Sequence, residues 1–228
     1  MREHPIIWII GATRSCKTAI AEHAVAPIGF KHLATATYFR ERYAQVDTNS
    51  REFVFDISKF SAECLAEDPD CHLSHLERVL KIDPQPYVIE GERNPAEFAK
   101  LYDPKKDMVI IVDRTDMEKY DTMIERGIPV IEQQVRWCVS TGIAPQDSVV
   151  KLTFGGPHIK AERFGKGYDA DETIIEGEVK KRIPESELIE DRYPWIGYVN
   201  KIVVDAIKSH YGIETASIYD TPKSAVSR

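Results

Sequence analysis

Long apolar runs are missing from this 228-residue chain, and none approaches the roughly 20 residues of a membrane-spanning helix. The start of the chain carries charges and then the six-residue run Pro5–Ile10, too short for the core of a signal peptide. Cysteine is sparse: Cys16, Cys64, Cys71 and Cys138 form no CxxC pair and no metal-ligand spacing with histidine. A disulfide framework is therefore not expected, and a reducing cytoplasm is the simplest compartment. Basic excess is also lacking. A formal charge of −7 argues against a broad nucleic-acid-binding face, although a local basic groove stays open. Internal repeats and low-complexity segments are absent. What remains, 43% hydrophobic and 29% charged residues, is ordinary globular composition. The length suits one medium α/β domain with a sizeable core.

Two continuous apolar runs, Pro5–Ile10 and Met108–Asp113, read as strands buried on both faces. Shorter strands are expected at Lys31–Ala36, Tyr87–Glu90 and Ser148–Phe154. Helical spacing marks Ser15–Val25, Tyr38–Ala44, Phe53–Leu65, Leu73–Leu80, Thr115–Arg126, Ile131–Val139 and Tyr198–Tyr211. Asn94 followed by Pro95 predicts a capped helix start. The stretch "FGGPHIKAERFGKGYDADE" reads as a loop or a hairpin. Strands alternating with helices predict a three-layer α/β/α fold around a mainly parallel sheet.

The densest chemical signal is "GATRSCKT", Gly11 to Thr18, between an apolar strand and a helix. It matches the phosphate-binding pattern G-x-x-x-x-G-K-[ST] except that Cys16 stands at the second glycine. In such a loop, backbone amides of Gly11, Ala12, Thr13, Arg14, Ser15 and Cys16 surround phosphates, Lys17 reaches the β- and γ-phosphates, and the Thr18 hydroxyl binds Mg²⁺. Cys16 fits if its φ is negative and its side chain points away. Its thiol, beside a helix N-terminus and Lys17, invites the reading of a low-pKa redox or alkylation switch. The simpler reading is a small side chain that fits.

Three segments together resemble the P-loop nucleotide kinases, the group containing adenylate kinase, dephospho-coenzyme A kinase and phage deoxynucleoside monophosphate kinases. They are the loop itself, Leu33-Ala-Thr-Ala-Thr-Tyr-Phe-Arg40, and Val88-Ile-Glu-Gly-Glu-Arg-Asn-Pro-Ala-Glu97. The resemblance covers about the first 140 residues. It implies a P-loop NTPase-type core over 1–145 with acceptor-binding and lid segments, and a C-terminal extension over 146–228 packed on that core. It implies that Arg40 and Arg93 contact the phosphate of an acceptor. Glu90 stands where the family has Asp, and implies a carboxylate that organises Mg²⁺ or accepts a proton. Glu92 competes for that role, because both would face the same way if the strand continued. Arg126 and Arg136 fall where the family's lid or its supports lie, or are ordinary exposed helix residues.

The expectation is an ATP- and Mg²⁺-dependent phosphotransferase acting on a nucleotide or related small molecule. One alternative is a kinase of a polynucleotide hydroxyl, at a terminus or on a modified base such as a hydroxymethyl pyrimidine in DNA. Aromatics near bases after residue 145 (Phe154, Phe164, Tyr168, Lys160, Arg163) suit base stacking or simply a packed core. A second alternative is a non-catalytic nucleotide-binding regulator.

Overall fold

A computed structural model describes residues 2–43, 52–68, 70–116, 126–155, 158–165, 171–178 and 196–213. Seven strands form one sheet: β1 (Ile6–Gly11), β2 (Lys31–Ala34), β3 (Tyr87–Glu90), β4 (Met108–Arg114), β5 (Val149–Gly155), β6 (His158–Phe164) and β7 (Asp171–Glu178). Their order is β2-β3-β1-β4-β5-β6-β7. The first five are mutually parallel, and β6 and β7 add antiparallel at one edge. The segment readable as a loop or a hairpin is thus a hairpin, and its second arm runs on as β7.

All six residues of β1 are buried, as an uninterrupted IIWIIG run requires of a central strand. Successive side chains alternate between two cores. Ile7 and Ile9 join Val88, Ile110 and Leu152 on one face. That face is covered by α1 (Lys17–Ile20), by the tighter and looser turns that continue it to Ile28, and by α7 (Ile196–Tyr211). Ile6, Trp8 and Ile10 join Ile89 and Ile111 on the other, under α5 (Pro95–Leu101) and α6 (Gly127–Ser140). Trp8 meets Phe98 of α5 edge to face at 5.2 Å. This is a three-layer α/β/α arrangement, as expected. Val199, Val203 and Ile207 of α7 are at most 1% exposed and belong to the same core as β1.

Asp107 ties the bottom of the sheet together. Its carboxylate is fully buried and accepts from Arg2 at 2.6 and 2.7 Å, from the Ile6 and Asp103 amides and from the Trp8 indole. A lobe between β2 and β3 holds α2 (Thr35–Tyr43), α3 (Glu52–Glu67) and α4 (Cys71–Ile82). Phe39, Cys64 and Cys71 form its small core.

Two local expectations change. The helix read over Ser15–Val25 starts only at Lys17, and past Val25 it tightens and stops by Gly29, whose φ is 103°. Pro27 lacks the amide that would continue it. The helix read over Thr115–Arg126 does not begin at Thr115 or Asp116, which form a bend after β4; residues 117–125 lie outside those described. Among the described residues no helix is long and apolar enough to cross a membrane.

Candidate functional site

The sheet order creates one crevice. The chain leaves the top of β1 toward β2 on one side and leaves β4 toward β5 on the other. Diverging connections of this kind open a cleft beyond the carboxyl ends of adjacent parallel strands. Residues 12–16 sit there, directly after Gly11, which pairs with Val112 of β4. No side chain fits at Gly11: a Cβ would strike the Val112 carbonyl oxygen and come within 2.7 Å of Ser15 Oγ.

Within the loop, Arg14 and Cys16 take φ values of 65° and 66°, the only non-glycine positions with positive φ among the described residues. Ser15 between them does not. Alternating backbone handedness curves successive amides into a concave surface that suits an anion. The condition of a negative φ, under which Cys16 would fit without strain, is not met. The loop needs the left-handed conformation at the position where glycine is usual, and cysteine adopts it at a cost of about 1–2 kcal/mol.

Lys17 is 6% exposed, and its ammonium donates to the Ala12 carbonyl at 2.5 Å, across the mouth of the loop. Ser15 Oγ lies 3.4 Å from the same nitrogen. Next along α1, Thr18 Oγ1 donates to Glu90 Oε1 at 2.8 Å. Glu90 ends β3, the strand beside β1, and is 7% exposed. Burial pushes its carboxyl up, but His32, Lys17 and the Thr18 hydroxyl outweigh that and hold it below the usual range. His32 Nε2 stands 3.8 Å from Glu90 Oε1, an ion-pair distance rather than a hydrogen bond. The grouping presents one cation, one hydroxyl and one ionised carboxylate beside a concave row of amides.

Glu92 does not join this grouping. Gly91, with φ 89°, turns the chain sharply after β3. Glu92 consequently faces away from the loop, 3% exposed, and accepts from the Arg93 and Asn94 amides at 2.8 Å each. Burial, with Glu97 adding to it, pushes its carboxyl up to about 7 against the opposing influence of His72 and the two amides.

The candidate arginines come from different segments of the chain. Arg93 follows this turn, and its carbonyl lies so close to Gly127 that a Cβ there would collide with it. Arg40 is exposed on α2, and Arg126 is exposed immediately before α6. Arg136 does not approach the loop region. It lies about 13 Å along α6 from the helix start, with its guanidinium 4.1 Å over the ring of Phe164 in β6.

Arg114 has no counterpart in the sequence reading. It ends β4, is 8% exposed, grips Asp116 through Nε and Nη2 at 2.6 and 3.0 Å, and points Nη1 at Cys16 Sγ, 3.5 Å away. Its position at the end of a buried strand beside the loop was the available signal. Burial raises the pKa of the Cys16 thiol, outweighing Arg114 and Lys17, so the thiol is not activated by its cationic neighbours.

No protein-family model matches this chain, and no curated protein matches it. Among solved structures, a "putative kinase" from Chloroflexus aurantiacus J-10-fl aligns over 94% of this chain and 100% of its own. The identity is 10% and the TM-score 0.44, too low for any conclusion about this chain to rest on it.

Proposed function

We propose that this protein is an ATP- and Mg²⁺-dependent phosphotransferase whose acceptor is a nucleotide or a related small molecule. The observation that carries the reading is the Lys17–Thr18–Glu90 grouping beside a loop with two left-handed residues, at the switch-point crevice. Loop amides and the α1 start favour phosphate oxygens. On nucleotide binding Lys17 exchanges the Ala12 carbonyl for a phosphate oxygen. A hydroxyl and an ionised carboxylate are hard oxygen donors, so Thr18 and Glu90 fit Mg²⁺, which when bound neutralises charge on the phosphates. Arg40 and Arg93 hold the acceptor's own phosphate through charge-assisted hydrogen bonds. Phosphoryl transfer asks mainly for positioning and fixed charge, which these side chains supply.

The test follows ADP release from purified protein with Mg-ATP alone, then with mononucleotide pools, then with single- and double-stranded DNA. Acceptor-dependent release with mononucleotides is expected. Release with DNA alone would move the acceptor to a polynucleotide hydroxyl. ATP binding without turnover on any acceptor would refute phosphotransfer.

A further inference from the structure

Beneath the turn that carries Arg93 lies a second cluster. His72 comes from the first turn of α4, Glu92 from the turn after β3, and Glu97 from α5. Their side chains are 3–4% exposed. His72 Nδ1 is 2.7 Å from Glu97 Oε2 and 3.8 Å from Glu92 Oε2, and one donor atom from each residue lies within 4.8 Å of the others. Each carboxylate is held from behind through its other oxygen. Glu92 Oε1 accepts the Arg93 and Asn94 amides, and Glu97 Oε1 accepts Asn94 Nδ2 at 3.2 Å. Glu92 Oε2, aimed at the imidazole, has no hydrogen-bond partner.

A buried carboxylate oxygen without a donor is costly, and two buried carboxylates beside one imidazole leave excess negative charge. A divalent cation removes both faults, since its two charges balance two carboxylates around a neutral imidazole. We propose that His72 Nδ1, Glu92 Oε2 and Glu97 Oε2 bind one divalent transition-metal ion of the zinc class. Ligand bonds of about 2.0–2.2 Å at tetrahedral angles put donors roughly 3.4 Å apart, between the 2.7 and 3.8 Å separations present. The metal takes the Nδ1 lone pair: from the imidazolium the Nδ1 proton leaves to solvent, from the neutral Nδ1–H tautomer it passes to Nε2, and either way a neutral imidazole with Nε2–H remains. The imidazole favours a borderline ion over Mg²⁺ or Ca²⁺, which prefer all-oxygen shells. Hydrogen bonds to the far oxygens pre-orient the ligands, as outer partners of metal sites do. Phe39 stacks on His72 with ring centroids 5.4 Å apart and covers one face of the imidazole, and a water would complete the fourth position. The ion fastens α4 and α5 to the end of β3. The site stands independently of the phosphotransferase reading.

The experiment titrates chelator-treated full-length protein with Zn²⁺, and in parallel with Co²⁺, without nucleotide and with excess Mg²⁺ to occupy hard oxygen sites. One equivalent of Zn²⁺ retained after gel filtration, a rise in Tm and Co²⁺ visible bands of tetrahedral intensity are expected. Glu92→Gln and Glu97→Gln, near-isosteric, should each weaken Zn²⁺ binding by more than the roughly 10–100-fold that loss of an outer-shell partner costs while far-UV circular dichroism is unchanged. His32→Asn, which removes the imidazole near Glu22 and Glu90, should bind as the parent does. Absence of stoichiometric Zn²⁺, or binding indifferent to both Gln variants, overturns the site and leaves a hydrogen-bonded His–Glu pair. If His72→Ala does not fold, the Gln variants decide.

Discussion

The Thr18 hydroxyl and the Glu90 carboxylate meet at 2.8 Å, joining the first helix to the end of β3 across 72 residues of chain. The contact exists because β3 lies directly beside β1, with Ile9 paired to Glu90. Glu90→Gln keeps an acceptor for Thr18 and removes the charge. Turnover should fall by about 10²-fold, with ATP affinity little changed. ADP release and a nucleotide titration check this, and wild-type turnover in the folded variant would remove Glu90 from the site.

Lys17→Ala should leave the fold intact and lower phosphoryl transfer by roughly 10²–10³ or more, the usual cost of losing one preorganised contact to the transferring group. The lysine is buried but belongs to neither hydrophobic core, and its ammonium bonds the loop's own Ala12 carbonyl, so circular dichroism should match the parent. A folded Lys17→Ala protein with full activity would contradict the loop's assignment.

Arg40→Ala and Arg93→Ala test the acceptor. Each should weaken a phosphorylated acceptor by about 1.5–3 kcal/mol, the range for hydrogen bonds to charged groups, without altering ATP affinity. Measurement at low and high salt adds a discriminator. A steep salt dependence together with an indifferent Arg40 would point to many phosphate contacts, hence a polynucleotide.

Cys16→Gly should stabilise the protein by about 0.5–1 kcal/mol. Relief of left-handed strain at φ 66° exceeds the extra chain entropy that glycine loses on folding. Denaturant unfolding reads the change. Destabilisation would mean that packing around Sγ and the Arg114 contact outweigh the strain. In the parent, alkylation of Cys16 at pH 8 should be slower than that of an unstructured thiol, because burial raises its pKa.

Asp107→Asn should cost about 2–4 kcal/mol. Both carboxylate oxygens accept donors, and an amide nitrogen must face one set donor to donor while Arg2 loses its counter-charge. Thermal unfolding measures it. A variant as stable as the parent would show that these bonds contribute little.

Much of the scaffold is legible along the chain because its signals are local. IIWIIG and MVIIVD are uninterrupted apolar runs, and only strands covered on both faces use them. Asn94 before Pro95 caps α5 as expected, its side chain accepting from the Ala96 amide at 3.0 Å. The loop is readable too, since strand, glycine, lysine and threonine follow one another within a dozen residues. The site beyond the loop is less legible. Glu90 and Glu92 look equivalent by alternation until Gly91, at φ 89°, sends one toward Thr18 and the other toward His72. Arg136 reads as a candidate for the lid and instead covers Phe164, because the twist and length of α6 carry it away.

The sequence by itself determined the layers, the central strands and the phosphate-loop pattern, since burial and backbone preference act over a few neighbouring residues. Tertiary structure alone decided which polar groups meet. The handedness at Cys16, the approach of Arg114 to its sulfur, and the convergence of His72 on two glutamates all depend on strand register, one sharp turn and the docking of α4. Those are long-range packing outcomes, and no spacing along the chain encodes where two distant side chains end.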